Sequence, residues 1–344
     1  MLSAYPLWLR APLSLFAAGA LCHLFTPPVR QLALRLGAVD RPGGRRVNRR
    51  PVPRMGGLAL SAAFLAAAPL FCAADGPLLG LLCGALLIAA LGAADDLLDL
   101  RPGLKLLGQL AAAAPALKGG IVLRSVSLPS GESLALPPAL AAGLTLLWLV
   151  ACTNAVNLID GLDGLAVGVS ALGSLSMLLV ALSLSAPAVA VLLAALTGAC
   201  LGFLPYNRSP AQIFMGDAGS QFLGFALGAL SVMGLLKFHA LVSFFVPLLA
   251  LSVPLADTLF AVLRRLRRGQ SPFRADRGHI HHRLLDLGLS QKQAVAVLYG
   301  ASSLQGLTAV LLAGTDALSR ALCLLPALAL GLAVWLCALR GGEG

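Results

Sequence analysis

Apolar residues arrive along this chain in long uninterrupted blocks, and polar residues are confined to the short segments between them. A run of about 20 apolar residues is what a helix needs to cross a bilayer core. On that criterion the pattern predicts eleven spans, at 6–26, 56–74, 77–94, 104–117, 137–153, 165–185, 187–205, 218–237, 240–263, 292–314 and 319–339. The prediction is an all-α polytopic membrane protein in which residues 1–344 form one integral-membrane domain. One stretch departs from the helical pattern. In GGIVLRSVSLPSGESLAL, 119–136, two β-prone runs flank Pro129-Ser130-Gly131, which reads as a small hairpin. The first block has only Arg10 as a basic flank and no small-residue cleavage site before Pro27, so it is expected to be a retained span and not a signal peptide.

Composition agrees with the pattern. Of 344 residues, 58% are hydrophobic and 11% charged, and the mean hydropathy is +0.89, against about a quarter charged in a soluble domain. The seven cysteines fall in or beside apolar blocks without a CxxC pair, which fits small hydrophobes on membrane helices and neither a disulfide framework nor a zinc site.

Charge then orients the spans. The formal net charge of +11 is a matter of topology before it is one of nucleic acid, and no nucleic-acid partner is expected. Alternate loops carry 20 Lys and Arg on one side and five on the other. The positive-inside bias puts the N-terminus outside, the C-terminus in the cytoplasm and the hairpin on the outer surface. The surplus also draws the cytoplasmic loops, 27–55, 95–103, 154–164, 206–217 and 264–291, toward anionic lipid or phosphate.

Those loops hold the chemistry. Only 14 carboxylates occur; Asp75, Glu132 and Asp316 fall outside and Glu343 in the tail, and most of the rest gather at the cytoplasmic ends of spans: Asp95, Asp96 and Asp99, then Asp160 and Asp163, then Asp217, with Asp257 slightly deeper. Asp99 and Asp257 read equally well as functional groups facing a cavity and as residues that merely end a helix or pair with a loop arginine. Adjacent Asp95 and Asp96 repel one another unless a cation or shared proton relieves them. Oxygen-only ligands without Cys or His suit Mg2+, with Mn2+ as the other candidate. On a helix Asp96 is turned about 100° from Asp95, so the two are expected to do different jobs.

The segment 154–164, NAVNLIDGLDG, repeats a polar residue every third position. A strict α-helix would point Asn154 and Asp163 in opposite directions, so either Gly161 and Gly164 break the helix or a tighter turn realigns the row. Asp217 sits where a helix N-cap would, after an apolar Ile213-Phe214-Met215 run whose aromatic suits stacking on a base. Three of the five histidines lie in HIHH, 279–282. If that segment is helical, His279, His282 and Arg283 group at i, i+3 and i+4 into a face suited to phosphate oxygens.

PRMGG at 53–57, ADDLLDLRPGLKLLGQ at 94–109, NAVNLIDGLDGLA at 154–166, FMGDAGS at 214–220 and HIHHRL at 279–284 together resemble the polyprenyl-phosphate N-acetylhexosamine-1-phosphate transferases. The HIHH form resembles the bacterial undecaprenyl-phosphate GlcNAc-1-phosphate transferase branch, whereas relatives that take UDP-MurNAc-pentapeptide usually carry an HHH triplet. The resemblance implies transfer of GlcNAc-1-phosphate from UDP-GlcNAc to undecaprenyl phosphate on the cytoplasmic face of a bacterial inner membrane, with release of UMP. It implies Mg2+ held by Asp217 with Asp96 assisting. Asp95 would stand beside the lipid phosphate as base or orienting group, with Arg54 and Lys105 as that phosphate's cations. Asn157, Asp160, Asp163, Asn207 and Phe214 would line the nucleotide pocket, and His279, His281, His282 and Arg283 would hold the sugar phosphate. A homodimer is also implied. The branch often has His where this chain has Asn48, which removes a proton-transfer role at that position. The competing readings are the pentapeptide transferase and, from another class, a lipid-carrier transporter, which would bind near the membrane midplane on broken helices.

Overall fold

A computed structural model describes residues 2, 5–40, 51–127, 133–235, 248–267 and 279–314. Asn48, the tip of the 119–136 hairpin, the first part of the 240–263 span and the whole 319–339 span lie outside the described residues.

The chain is mostly helical. Its helices are α1 (Leu7–Arg35), α2 (Gly57–Phe71), α3 (Gly76–Leu98), α4 (Pro102–Lys118), α5 (Pro138–Ile159), α6 (Leu165–Ser183), α7 (Pro187–Asn207), α8 (Gly216–Leu230), α9 (Ser252–Arg267), α10 (Ile280–Asp286) and α11 (Gln291–Gly314). Six of them, α1, α3, α5, α6, α7 and α11, are long and apolar enough to cross a membrane. This is a multi-pass membrane protein. The expected spans at 56–74 and 104–117 are helices of 15 and 17 residues. The 218–237 span is α8 continued by a π-helical turn, Ser231–Leu235.

Helix starts follow local chemistry. Proline stands in the first turn of α3, α4, α5 and α7, where its missing N–H costs nothing. Asp75 caps α3 by accepting from the Leu78 amide at 2.8 Å. Helix α1 runs on past Pro27 and Pro28 to Arg35, although a loop was expected from residue 27. Pro27 cannot donate to the His23 carbonyl one turn back. Tyr206 Oη donates to that carbonyl instead, at 3.3 Å, so the helix continues with the group satisfied.

Helices α6, α7 and α8 form the interior, with α7 packed between α1 and α6, and α8 between α3 and α5. Every residue of α8 from Ala218 to Leu230 is buried. Helix α1 lies outermost and exposes Trp8, Phe16 and Leu24, apolar side chains suited to lipid contact. The expected hairpin is present as the antiparallel pair β3 (Ser125–Ser127) and β4 (Ser133–Ala135), with Val126 opposite Leu134. An unexpected ribbon pairs β1 (Val39–Asp40) with β2 (Val52–Pro53).

Candidate active site

The carboxylate-bearing ends of α3, α5 and α8 meet around a cavity of about 310 Å3. Its frame comes from two motifs far apart in sequence. Residues 53–57 lie along 214–215, with Phe214 N donating to the Pro53 carbonyl at 2.8 Å, Gly56 N to Phe214 O at 3.0 Å and Gly57 N to Met215 O at 2.8 Å. Gly57 permits the approach, since a Cβ there would fall on the backbone of Gly219. Gly216 then turns into α8 at φ +70°, and a side chain on it would press on the Asp96 carboxylate.

Asp95 and Asp96 are both buried and make different contacts. Asp96 receives the start of α8: its Oδ1 accepts from the Asp217 amide at 3.0 Å and its Oδ2 from the Ala218 amide at 3.1 Å. Arg54 Nε stands 4.0 Å from the same carboxylate. Asp95 turns toward α4, where it is ion-paired with Lys105 and accepts from the Leu100 amide at 2.8 Å. Lys105 Nζ also reaches Asp217 Oδ2 at 3.1 Å, so one ammonium bridges two carboxylates. Asp99 merely ends α3, exposed and in the left-handed region at φ 53°.

The polar row at 154–164 divides because α5 stops at Ile159 and Gly164 takes φ +78°. Asn154 faces away from the cavity. It exchanges hydrogen bonds with Gln109, which also donates to Gln221 at 3.2 Å. Asn157, Asp160 and Asp163 line the cavity with Asn207 and Phe214, so all five expected nucleotide residues converge. Some also brace the walls. Asn157 accepts from Ser220 Oγ at 3.0 Å and Asp163 from the Ala211 amide at 3.1 Å. Buried Asn207 ties the Gly164 amide to the Ile213 carbonyl.

The histidine segment is not arranged as the i, i+3, i+4 reading expects. Helix α10 begins only at Ile280, and His279 is the extended residue before it, its ring Nδ1 2.8 Å from Asp257 Oδ2. His281 is buried against Gly161. Burial, followed by the charge of neighbouring His282, pulls its pKa down to about 3, so it is neutral at physiological pH and no phosphate cation. Among the described residues, His282 is the histidine that lines the cavity, while Arg283 is half-buried and is not part of that lining.

Comparison with known proteins places the chain in a family. Residues 78–235 match the family model described as glycosyl transferase family 4. A Bacillus subtilis protein named probable undecaprenyl-phosphate N-acetylglucosaminyl 1-phosphate transferase is 39% identical over 292 residues, 84% of this chain and 81% of the relative. The decaprenyl-phosphate N-acetylglucosaminephosphotransferase of Mycobacterium tuberculosis is 36% identical over 314 residues, 82% of this chain and 77% of the relative. The chain belongs to glycosyl transferase family 4. A phospho-N-acetylmuramoyl-pentapeptide-transferase of Chlamydia trachomatis is 52% identical, but over 97 residues, 27% of this chain. The family segment holds Asp95, Asp96, Asn157, Asp160, Asp163, Asn207, Phe214 and Asp217, while Arg54 and the histidines lie outside it.

The family's chemistry bears on the cavity's charge. Asp40, Asp96, Asp160, Asp163 and Asp217 line it, with Arg54 as the lining arginine. Burial, then the charges of Asp217, Asp96 and Asp163, push the Asp160 pKa up to about 8. Among the described residues no three His, Cys, Asp or Glu side chains form a ready-made metal cage. The lining carboxylates Asp96 and Asp217 are oxygen donors of the kind Mg2+ takes, usually one or two at a time, with water and substrate phosphates completing its shell. Sequence reasoning missed Asp40 and Gln291, both in the lining. Asp40 had one signal, as a lone carboxylate amid eight Lys and Arg between Arg30 and Arg54. Gln291 had none.

Proposed function

We propose that this chain transfers GlcNAc-1-phosphate from UDP-GlcNAc to undecaprenyl phosphate on the cytoplasmic face of a bacterial inner membrane. An oxygen of the lipid phosphate attacks the sugar-bearing phosphorus of the donor, and the bond from that phosphorus to the UMP oxygen breaks. The products are undecaprenyl-diphosphate-GlcNAc and UMP. The observation that carries the reading is the convergence of Asp96, Asp160, Asp163 and Asp217 with Arg54 and His282 in one cavity at the helix ends. The names of the relatives support both the carrier lipid and the sugar.

Both substrates are anions, so positioning and charge neutralisation dominate the catalysis. Lys105 and Arg54 offer positive charge to the acceptor phosphate. Asp95 acts through Lys105, whose ammonium it holds. Asn157, Asp160, Asp163, Asn207 and Phe214 line the nucleotide side, and His282 meets the sugar phosphate. Asp217 is the leading ligand for Mg2+, with Mn2+ as the alternative. Asp96 assists chiefly by fixing the α8 amides that place Asp217. Bound Mg2+ would neutralise the donor's pyrophosphate.

Eleven spans, an outside N-terminus and a cytoplasmic C-terminus belong to the same proposal, and the 20-to-5 division of Lys and Arg supports them. A homodimer is also part of it, to be read by light scattering in detergent. The test of function is UMP release from UDP-GlcNAc by purified protein, dependent on both undecaprenyl phosphate and a divalent cation. Equal turnover of UDP-MurNAc-pentapeptide would move the chain to the other branch. No UMP release with either donor would overturn the transferase reading.

A further inference from the structure

Asp257 has no part in the reaction as described, yet both of its oxygens are engaged. It lies on α9, 3% exposed, where an unpaired charge would be costly. Both its oxygens are turned on the start of α10. Oδ2 is 2.8 Å from His279 Nδ1, and Oδ1 accepts from the Ile280 amide at 2.8 Å. Helix α10 has seven residues, too few to hold itself, so its place depends on such anchors and on buried Leu284.

The anchor reaches the cavity through three rings. His279 stacks on His281 with centroids 5.8 Å apart and planes 8° from parallel. His281 in turn meets His282 at 4.3 Å. His281 is wedged against Gly161, itself part of the cavity wall, so the stack has little room to shift. His282 at its end lines the cavity.

We propose that Asp257 is a positioning residue for the donor: through His279 and the Ile280 amide it sets α10 so that His282 meets the sugar-bearing phosphate. This rests on the donor reading above.

The test is a double-mutant cycle on the full chain, read by UMP release and by protection from thermal unfolding with UDP-GlcNAc. Loss of two hydrogen bonds to a charged group predicts a donor KM raised on the order of tenfold or more in Asp257→Ala. The KM for undecaprenyl phosphate should stay within about twofold. In a His282→Ala background, adding Asp257→Ala should cost less than about twofold further, because the residue acts through that ring. Should Asp257→Ala not fold, Asp257→Asn carries the same cycle, since it keeps an acceptor for the Ile280 amide. Multiplying losses, or both KM values rising together, would show a general structural brace and overturn the proposal. Wild-type donor KM and protection in the variants would also overturn it. Wild-type protein with neither turnover nor protection would instead refute the donor reading, and the proposal with it.

Discussion

Replacing Lys105 with Met removes the charge between Asp95 and Asp217 while keeping most of the side chain's bulk. The Lys105–Asp217 contact of 3.1 Å is worth about 5 kcal/mol of attraction at an effective dielectric of 20. Lys105 and Asp217 are each about a quarter exposed, at 26% and 27%, so solvent screening and recovered hydration reduce that figure. A phosphate oxygen that met the same ammonium at a like distance would gain a similar attraction, reduced by the same offsets to about 2–3 kcal/mol. In Lys105→Met an incoming lipid phosphate would face two unneutralised carboxylates. The kcat/KM for undecaprenyl phosphate should fall by about thirty- to 150-fold.

The same variant should move the metal requirement the other way. Lys105 competes with Mg2+ for Asp217, so without it the concentration of Mg2+ for half-maximal rate should fall. Initial rates of UMP release, measured across separate titrations of lipid phosphate and Mg2+, read both effects. Lys105→Arg keeps the charge but not the compact ammonium, and should recover only part of the loss. An unchanged lipid KM together with a raised Mg2+ requirement in Lys105→Met would refute the reasoning. The bridge would then be bracing the metal ligand and not serving the acceptor.

Asp217→Asn should lower kcat by on the order of 100- to 1,000-fold with the thermal midpoint preserved, and near-normal turnover at the same Mg2+ would remove it as the ligand. Gly57→Ala drives a methyl into the Gly219 backbone and should destabilise by about 1–3 kcal/mol, read as a lower unfolding midpoint in detergent. An unchanged midpoint would mean that α2 and α8 can separate freely. His281 has a folded pKa of about 3, below its unfolded value near 6.5, so its contribution to stability is full above pH 6.5 and is lost as pH falls toward 3. At pH 5 that loss is about 2 kcal/mol, and His281→Asn should flatten this part of the stability–pH curve. An equally steep curve in the variant would assign the effect to another group.

The parts of the site that were legible in the sequence share one property: each is set by local backbone geometry. The turn of about 100° between helical neighbours separates Asp95 from Asp96, and the two do face different partners. The break after Ile159, with Gly164 at φ +78°, divides Asn154 from Asp163, as the two glycines in the sequence suggest. The histidine segment departs from the i, i+3, i+4 face for the opposite reason. Helix α10 starts one residue late because Asp257, 22 positions upstream, claims both His279 and the Ile280 amide. No local pattern announces that claim. The extension of α1 past two prolines has the same cause, since the tyrosine that rescues it is 183 residues away.

The placement of Asp95 beside Asp96 has a consequence for how two anions are brought together. Asp95 governs Lys105, on the proposed acceptor side, while Asp96 governs the α8 amides and Asp217, on the donor side. Both carboxylates ride on the same turn of one helix, which packs chiefly on the buried α8 and on α4. A displacement of that turn therefore moves both halves of the site together and preserves their separation. Two carboxylates on different loops would let the substrates drift independently, and a phosphoryl transfer that relies on alignment loses rate steeply with such drift. The electrostatic cost of adjacent acids is met by giving each its own partners: Lys105 and the Leu100 amide for Asp95, the two α8 amides and Arg54 for Asp96. The repulsion that made the pair conspicuous in the sequence is thus what a shared rigid support for two substrates requires.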